Sequence, residues 1–132
     1  MLIALCIIAC ILLLQIAAQL LCLWLDGRKF RAPGILVELR ERTVHVHQLG
    51  SGTPPVILEA GIAASSLNWS ILQPKLAALA STFSYDRAGF GWSTSTGRQC
   101  RLSQMAEELH QWISTLRVPR PYVLIGHSYA AY

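Results

Sequence analysis

A serine flanked by small residues stands near the end of the 132-residue sequence, in the stretch Gly126-His127-Ser128-Tyr129-Ala130. A serine hydroxyl is a poor nucleophile at neutral pH, so a protein that uses one must expose it, orient a base against it and stabilise the oxyanion that forms. In the pattern G-x-S-x-G, small residues on both sides of the serine let a strand bend abruptly into a helix while the serine holds a strained backbone. Here Ala130 takes the place of the second glycine. The stretch predicts that Ser128 is an exposed nucleophile, and a glycine-punctuated loop after a buried strand is the alternative.

None of the four histidines is a convincing base for this serine. Side chains of adjacent residues leaving a strand point to opposite faces, so His127 cannot easily reach the Ser128 hydroxyl. We expect His45, His47 and His110 on the surface of an early strand and a helix. His45 and His47 share one face of their strand, as two metal ligands would, but no third ligand is evident. The solvated face of an edge strand is the favoured interpretation, and no metal site is predicted.

Short apolar runs alternate with helical patterns after residue 34. Strands are predicted at 35–39, 43–47, 56–58, 82–85 and 122–125, and helices at 69–79 and 102–116, the latter capped by Ser103. The later strands are continuously apolar, which is typical of strands buried on both faces. The sequence therefore predicts an α/β fold with a mostly parallel sheet and flanking helices. Such sheets place reactive groups at the carboxyl ends of strands, where Gly61, Asp86-Arg87 and Ser128 fall.

The first 25 residues, Met1 to Leu25, contain no charged side chain. A helix of this length rises about 1.5 Å per residue and is long enough to cross a hydrocarbon core about 30 Å thick. A cleaved signal peptide is the alternative, but the segment lacks a basic start and an A-x-A-like cleavage site. We therefore expect a transmembrane helix at 1–25, a juxtamembrane linker at 26–34 and a domain at 35–132.

Basic residues follow the apolar segment at Arg28, Lys29 and Arg31, and none precedes it. This asymmetry predicts a single-pass membrane protein whose remaining chain faces the cytoplasm, and lipid headgroups are an alternative partner for the cluster.

The net charge is +4, but beyond Arg42 the charges are scattered without a basic stripe, so nucleic acid is not a predicted partner. Three of the four cysteines lie in the apolar segment, which leaves Cys100 alone and excludes a disulfide framework.

Three motifs together resemble the first half of an α/β-hydrolase-fold protein, from about Ile35 to Tyr132. "VILEAGIAASSLNW" resembles the oxyanion-loop segment of that family, "YDRAGFGWS" the loop after the next strand, and "GHSYAA" the nucleophile elbow. The three occur in the order of the family, which is far more specific than any one of them.

The resemblance assigns roles to matching positions. It implies that Ser128 is the nucleophile and that the backbone N–H groups of Ile62 and Tyr129 form the oxyanion hole. The family more often has His-Gly before the first of these donors, whereas this chain has Ala60-Gly61. Because the donor is a backbone group, the hole remains possible without that histidine. The pair Asp86-Arg87 matches a structural pair of the family, and no catalytic role follows for it.

The family order is the serine, then an acid, then a histidine, whereas this sequence ends four residues after Ser128. We therefore expect a truncated sequence from a membrane-anchored serine hydrolase that acts on an ester or similar acyl bond of a small molecule, without a cofactor. Serine at the elbow argues against the dehalogenase and epoxide-hydrolase branches, which the resemblance associates with a carboxylate nucleophile. The rival hypothesis is a catalytically inert, membrane-tethered half-domain that binds a partner through its unfinished sheet.

Overall fold

The structure, a computed structural model, describes residues 2–40, 42–95, 97 and 101–131. Cys100 and Tyr132 lie outside these residues, so the predictions that involve them stay predictions. The chain divides into two compact units, one that extends to Arg31 and one that begins at Ala32.

The first unit is one helix, α1, which spans Leu2–Lys29. It continues four residues beyond the predicted end at Leu25 and passes through Gly27 without a break. A glycine inside a helix costs only about 1 kcal/mol relative to alanine, which is too little to stop a long helix. The Phe30 N–H still donates to the Asp26 carbonyl at 2.8 Å. Among the described residues, α1 is the one helix that is both long enough and apolar enough to cross a membrane. A signal sequence shares this property.

The second unit contains a five-stranded sheet. Its strands are β1 (Ile35–Leu39), β2 (Arg42–Leu49), β3 (Val56–Glu59), β4 (Thr82–Tyr85) and β5 (Val123–Gly126), in the spatial order β1-β2-β4-β3-β5. The pairs β1·β2 and β2·β4 are antiparallel, and the pairs β4·β3 and β3·β5 are parallel. The α/β class is confirmed, but the sheet is mixed, because parallel pairing is confined to the three later strands.

Both faces of the sheet are covered around β3 and β4, whereas Val123 and Leu124 of β5 are exposed, contrary to the two-sided burial predicted for the later strands. On one face, the core contains Val44, Val46, Ile57 and Phe83 packed with Trp112 and Ile113 of helix α3 (Leu102–Thr115). On the other face, Leu58 and Ala60 pack with Trp69. Successive residues of a strand point to opposite faces, so the adjacent Ile57 and Leu58, both fully buried, belong to different cores. This two-sided burial explains the continuous apolar run of β3.

Two helical predictions need correction. The helix predicted at 69–79 is a 3₁₀ turn, Ser66–Trp69, followed by the short helix α2, Leu72–Ala77. Pro74 lies in the first turn of α2, where the missing N–H of proline costs no helical hydrogen bond. Ser103 is not the cap of α3, because the helix already begins at Leu102 and Arg101 occupies the capping position.

Candidate active site

Ser128 lies where the chain turns sharply after β5. The strand ends at Gly126, and a 3₁₀ turn, Ser128–Ala131, begins two residues later. Ser128 has a φ of 59°, in the left-handed region that side chains rarely adopt, and its side chain is exposed. The Ala130 N–H donates to the His127 carbonyl at 3.2 Å and closes the turn. A strained turn therefore presents the hydroxyl at the carboxyl end of a parallel strand.

The segment after β3 lies against this turn because β3 and β5 are neighbours. Glu59 is paired with Gly126 in the parallel register, and the His127 N–H donates to the Glu59 carbonyl at 3.1 Å. A Cβ atom on Gly61 would lie 3.1 Å from the Ser128 Cβ and 3.1 Å from the His127 carbonyl oxygen. The two backbones approach so closely that only glycine fits at position 61 without a shift.

The backbone N–H groups of Ile62 and Tyr129, close to Ser128, have no acceptor within the described part of the chain. Ile62 follows Gly61 directly in a turn that the Ala64 N–H closes by donating to the Gly61 carbonyl at 3.3 Å. Tyr129 follows Ser128 directly. Free backbone donors beside a nucleophile are suited to stabilising an anion that forms on the group under attack.

Asp86 directly follows β4, and its side chain is fully buried. Its carboxylate accepts hydrogen bonds from His45 Nδ1 at 2.9 Å, from the Ser66 N–H at 2.6 Å and from the Trp92 N–H at 3.0 Å. Burial by itself raises the pKa of Asp86, but the hydrogen bonds from His45, Ser66 and Trp92 outweigh it and lower that pKa. Asp86 therefore remains ionised and ties three separated segments together.

The prediction that His45 is a surface residue is wrong, since its side chain is fully buried. The strand β2 lies between β1 and β4 and is not an edge strand. The His45 ring also contacts the Pro33 carbonyl through Nε2. Burial lowers the pKa of His45, but the hydrogen bond to Asp86, the Pro33 carbonyl and the charge of Asp86 raise it above its ordinary value. Both ring nitrogens of His45 are thus engaged, Nδ1 with the Asp86 carboxylate and Nε2 with the Pro33 carbonyl.

Arg87 is buried and directs its guanidinium at the backbone of the segment after β3. Nη2 donates to the Ala60 carbonyl at 2.7 Å and also to the Gly61 carbonyl, while Nη1 lies 3.7 Å from the Met105 sulfur. These contacts join residues 18 to 27 positions apart in the sequence. The sequence pattern places Arg87 at a strand end and therefore near the site. It does not identify the carbonyl groups that accept hydrogen bonds from Arg87.

The remaining histidines lie apart from the Ser128 hydroxyl. His110 is exposed on α3, His47 is half-buried on β2 and His127 is exposed next to the serine. No histidine of the described residues hydrogen bonds to Ser128. The described site thus presents an exposed serine hydroxyl beside two free backbone N–H groups, and no histidine of the described residues contacts that hydroxyl.

Comparison with known proteins agrees with this fold. Residues 54–132 match the family described as the alpha/beta hydrolase fold. An AB hydrolase superfamily protein of Gibberella zeae is 38% identical over 79 residues, which are 59% of this chain and 24% of that protein. An alpha/beta hydrolase fold protein from Burkholderia ambifaria superposes with a TM-score of 0.67 at 24% identity, over 76% of this chain and 36% of that one. The haloalkane dehalogenase DatA from Agrobacterium tumefaciens also reaches a TM-score of 0.67, at 23% identity over 74% of this chain and 33% of its own.

The chain belongs to the alpha/beta hydrolase fold family. The resemblance that its three motifs indicated is confirmed. The chain spans about a quarter to a third of the length of the three proteins above.

Proposed function

We propose that these residues form the N-terminal part of a membrane-anchored serine hydrolase that cleaves an ester or similar acyl bond of a small molecule. One observation carries this proposal: an exposed serine in a left-handed turn lies against Gly61, and the N–H groups of Ile62 and Tyr129 beside it are free within the described residues. A nucleophile and two oxyanion donors are the parts of acyl transfer that the backbone itself can supply.

The reaction would begin with attack of the Ser128 hydroxyl oxygen on the carbonyl carbon of the substrate. The hydroxyl proton passes to a histidine base, and the carbonyl oxygen becomes an oxyanion that accepts hydrogen bonds from the Ile62 and Tyr129 N–H groups. When the tetrahedral intermediate collapses, the alcohol leaves with that proton and the acyl group remains on Ser128. Water then repeats the sequence and releases the acid. In this proposal, an acid and a histidine that follow Tyr132 in the whole protein complete the triad.

The residue type at the elbow favours acyl transfer over alkyl transfer. A carboxylate can displace halide from carbon and leave an ester that water hydrolyses, whereas a serine forms an ether that water does not cleave. Haloalkane dehalogenase DatA therefore supports the fold of this chain but not its reaction. Ser128 supports a reaction at a carbonyl group.

We further propose that α1 anchors the protein in a bilayer and that the second unit faces the cytoplasm. The helix Leu2–Lys29 carries Arg28 and Lys29 in its last turn, and no basic residue lies in its first turns. The Arg28 guanidinium lies 4.4 Å from the centre of the Trp24 ring, which places an aromatic and a cationic group together, as at a membrane interface. The domain boundaries 1–25, 26–34 and 35–132 belong to this proposal, with the helix itself extending to Lys29.

The alternative of an inert half-domain rests on the sheet edge. β5 is an edge strand of the described sheet, and its Val123 and Leu124 are 45% and 47% exposed. An exposed apolar edge strand can pair with another chain. In this alternative the protein binds a partner through β5 and Ser128 has no chemical role.

A fluorophosphonate probe distinguishes the two, because it reacts only with a serine that a base activates. We expect the full-length protein in its native membrane to be labelled and the Ser128→Ala variant to remain unlabelled. Ser114→Ala is the matched control, since Ser114 is exposed on α3 away from the turn, and this variant should react like the wild type. For the 132-residue chain alone we expect no labelling.

Labelling that persists in Ser128→Ala would contradict the assignment of the nucleophile. Absence of labelling in the full-length protein would support the half-domain alternative.

A further inference from the structure

The segment that carries the Ile62 N–H is held at both ends by two consecutive residues. At its end, the Ser66 N–H donates to the Asp86 carboxylate at 2.6 Å. At its beginning, the Arg87 guanidinium donates to the carbonyls of Ala60 and Gly61. We call residues 60–66 the oxyanion loop. Within the loop the Ala64 N–H also donates to the Gly61 carbonyl at 3.3 Å, and the side chains of Ile62 and Ala63 are exposed.

The placement of Arg87 is unusual for an arginine. It is only 5% exposed, and neither of the ion pairs found among the described residues, Arg42–Glu108 and His45–Asp86, includes it. The charge of Arg87 interacts with the buried Glu59 carboxyl group and opposes the rise in its pKa that burial causes, but no carboxylate of the described residues accepts a hydrogen bond from Arg87, so its N–H groups need other strong acceptors. Here those acceptors are two consecutive backbone carbonyls of the oxyanion loop, so the hydrogen bonds of the guanidinium are used to hold backbone.

Peptide geometry connects this contact to the site. The Gly61 C=O and the Ile62 N–H belong to one planar trans peptide group, in which the two bonds point in opposite directions. The Arg87 guanidinium holds the Gly61 oxygen toward the buried side of the loop. The same contact therefore turns the Ile62 N–H away from the interior. Ala63, the next residue, has a φ of 55°, which is a strained conformation for a residue with a side chain. We therefore expect the backbone of this turn to change conformation if the contact with Arg87 is removed.

We propose that Arg87 is the positioning residue of the oxyanion hole, and that its bonds to the Ala60 and Gly61 carbonyls fix the peptide plane that presents the Ile62 N–H. This inference rests on the proposed hydrolase function and names a residue that positions one of the two proposed oxyanion donors. In this proposal Arg87 contacts neither substrate nor reacting atoms. It acts through the backbone and, by placing a full positive charge on the carbonyl side of the peptide group, it also polarises the N–H that faces the substrate.

The test compares Arg87→Met and Arg87→Lys in the full-length protein by two measurements. The first is hydrogen–deuterium exchange, read by mass spectrometry on peptides that cover residues 58–68. We expect faster exchange of the oxyanion loop in Arg87→Met and an intermediate rate in Arg87→Lys, whose ammonium can still reach one carbonyl. Arg42→Met is the matched control, because it removes the ion pair with Glu108 but touches no atom of the loop.

The second measurement is the rate of ester hydrolysis together with the ratio of rates for an ester and its thionoester. Loss of a well-placed oxyanion donor lowers kcat by about 100-fold, and we expect a fall of this order in Arg87→Met with KM unchanged. Sulfur accepts hydrogen bonds poorly, so the ester should lose more rate than the thionoester and their ratio should fall. A general loss of folding would lower both rates equally. Arg87→Lys should recover part of the ratio.

Unchanged loop exchange in a folded Arg87→Met variant would overturn the inference. Faster exchange with an unchanged rate ratio would overturn it as well, because the loop would then be released without effect on the donor. A wild-type protein that fails to react with the fluorophosphonate probe contradicts the proposed function, whereas the exchange measurement still decides whether Arg87 holds the loop. If Arg87→Met does not fold, Arg87→Lys alone carries both readouts.

Discussion

Gly61 lies so close to His127 and Ser128 that it has no room for a side chain. The space for a side chain at position 61 is already occupied, with the Ser128 Cβ and the His127 carbonyl oxygen both 3.1 Å from a Cβ placed there. The positive φ of Ser128 and the glycine opposite it are therefore parts of one local arrangement. Small shifts in such an arrangement matter, since a displacement of about 1 Å can cost about 100-fold in rate.

Gly61→Ala should separate the oxyanion loop from the Ser128 turn. We expect the rate of fluorophosphonate labelling to fall by about 10- to 100-fold, because the new methyl group must push one backbone segment away from the other. Time courses of labelling measure this rate. Gly27→Ala is the control, since a Cβ at position 27 meets no atom within 4 Å, and it should label at the wild-type rate. Equal rates for the two variants would show that the close approach has no influence on the serine.

The buried pair of His45 and Asp86 predicts how stability depends on pH. The folded-state pKa of His45 is raised, so its contribution to the free energy of unfolding is complete below about pH 6.5 and is lost as the pH rises through the raised pKa. The folded-state pKa of Asp86 is lowered, so its contribution is present above about pH 3.9 and is lost as the pH falls through the lowered pKa. The contribution of this pair is therefore largest between these limits, whereas the buried Glu59, whose pKa is raised by burial, contributes stability that is lost as the pH rises through that raised pKa. Urea titrations at a series of pH values, followed by tryptophan fluorescence, measure the profile.

Two variants check the origin of this profile. His45→Gln should remove the decline above about pH 6.5, because it has no proton to lose in that range. Asp86→Asn should cost about 3–5 kcal/mol at pH 6, since it leaves the buried His45 charge without its partner. A His45→Gln profile that still declines like the wild type would assign the pH dependence to another group.

Among the elements, α1 and β4 were predictable because their signals are local. The bounds predicted for β4, 82–85, are those observed, since a buried run between a helix and a glycine-rich loop leaves few alternatives. The apolar segment predicted α1, but its end was displaced by four residues, from Leu25 to Lys29. The mixed pairing of the sheet and the burial of β2 depend on which strands become neighbours. That information lies in contacts between distant residues, such as His45 with Asp86, 41 positions apart.

The proposed anchor predicts a strong effect of one charge in the middle of α1. Leu13→Arg places a charge near the centre of the helix Leu2–Lys29, where membrane insertion of arginine costs about 2.5–3.5 kcal/mol. We expect alkaline carbonate to extract this variant from membranes to a greater extent than the wild type. Leu13→Ile is the control and should remain in the membrane pellet. Release of the intact wild-type chain by carbonate would refute a spanning helix.

In the whole molecule, the proposed function requires that the sheet continue beyond β5. The described order β1-β2-β4-β3-β5 places the candidate nucleophile at the end of an edge strand, although its neighbour β3 is buried on both faces. The sequence predicted the strand ends that meet at the site, because parallel strands bring their carboxyl ends together. It did not predict the loop anchor formed by Asp86 and Arg87, because their side chains could bond to many backbone groups and only the folded chain selects among them.

A charge introduced into β5 tests whether another segment of the full-length protein covers the edge of the sheet that β5 forms. We expect Leu124→Lys to lower the Tm of the full-length protein clearly, because a strand that pairs with β5 would bury the new charge. Leu79→Lys is the matched control, since Leu79 is 81% exposed after α2 and should tolerate lysine. Thermal unfolding followed by circular dichroism measures both. An equal and small effect of the two substitutions would mean that β5 is a true edge, as the half-domain alternative requires.

The covalent intermediate provides the most direct test of the account. The full-length protein is mixed briefly with an activated ester, quenched in acid and digested, and the acylated residue is located by mass spectrometry. We predict an acyl group on Ser128 at early times, its loss as hydrolysis proceeds, and its absence in Ser128→Ala. Turnover with the acyl group on any other side chain, or turnover that persists in Ser128→Ala, would contradict it.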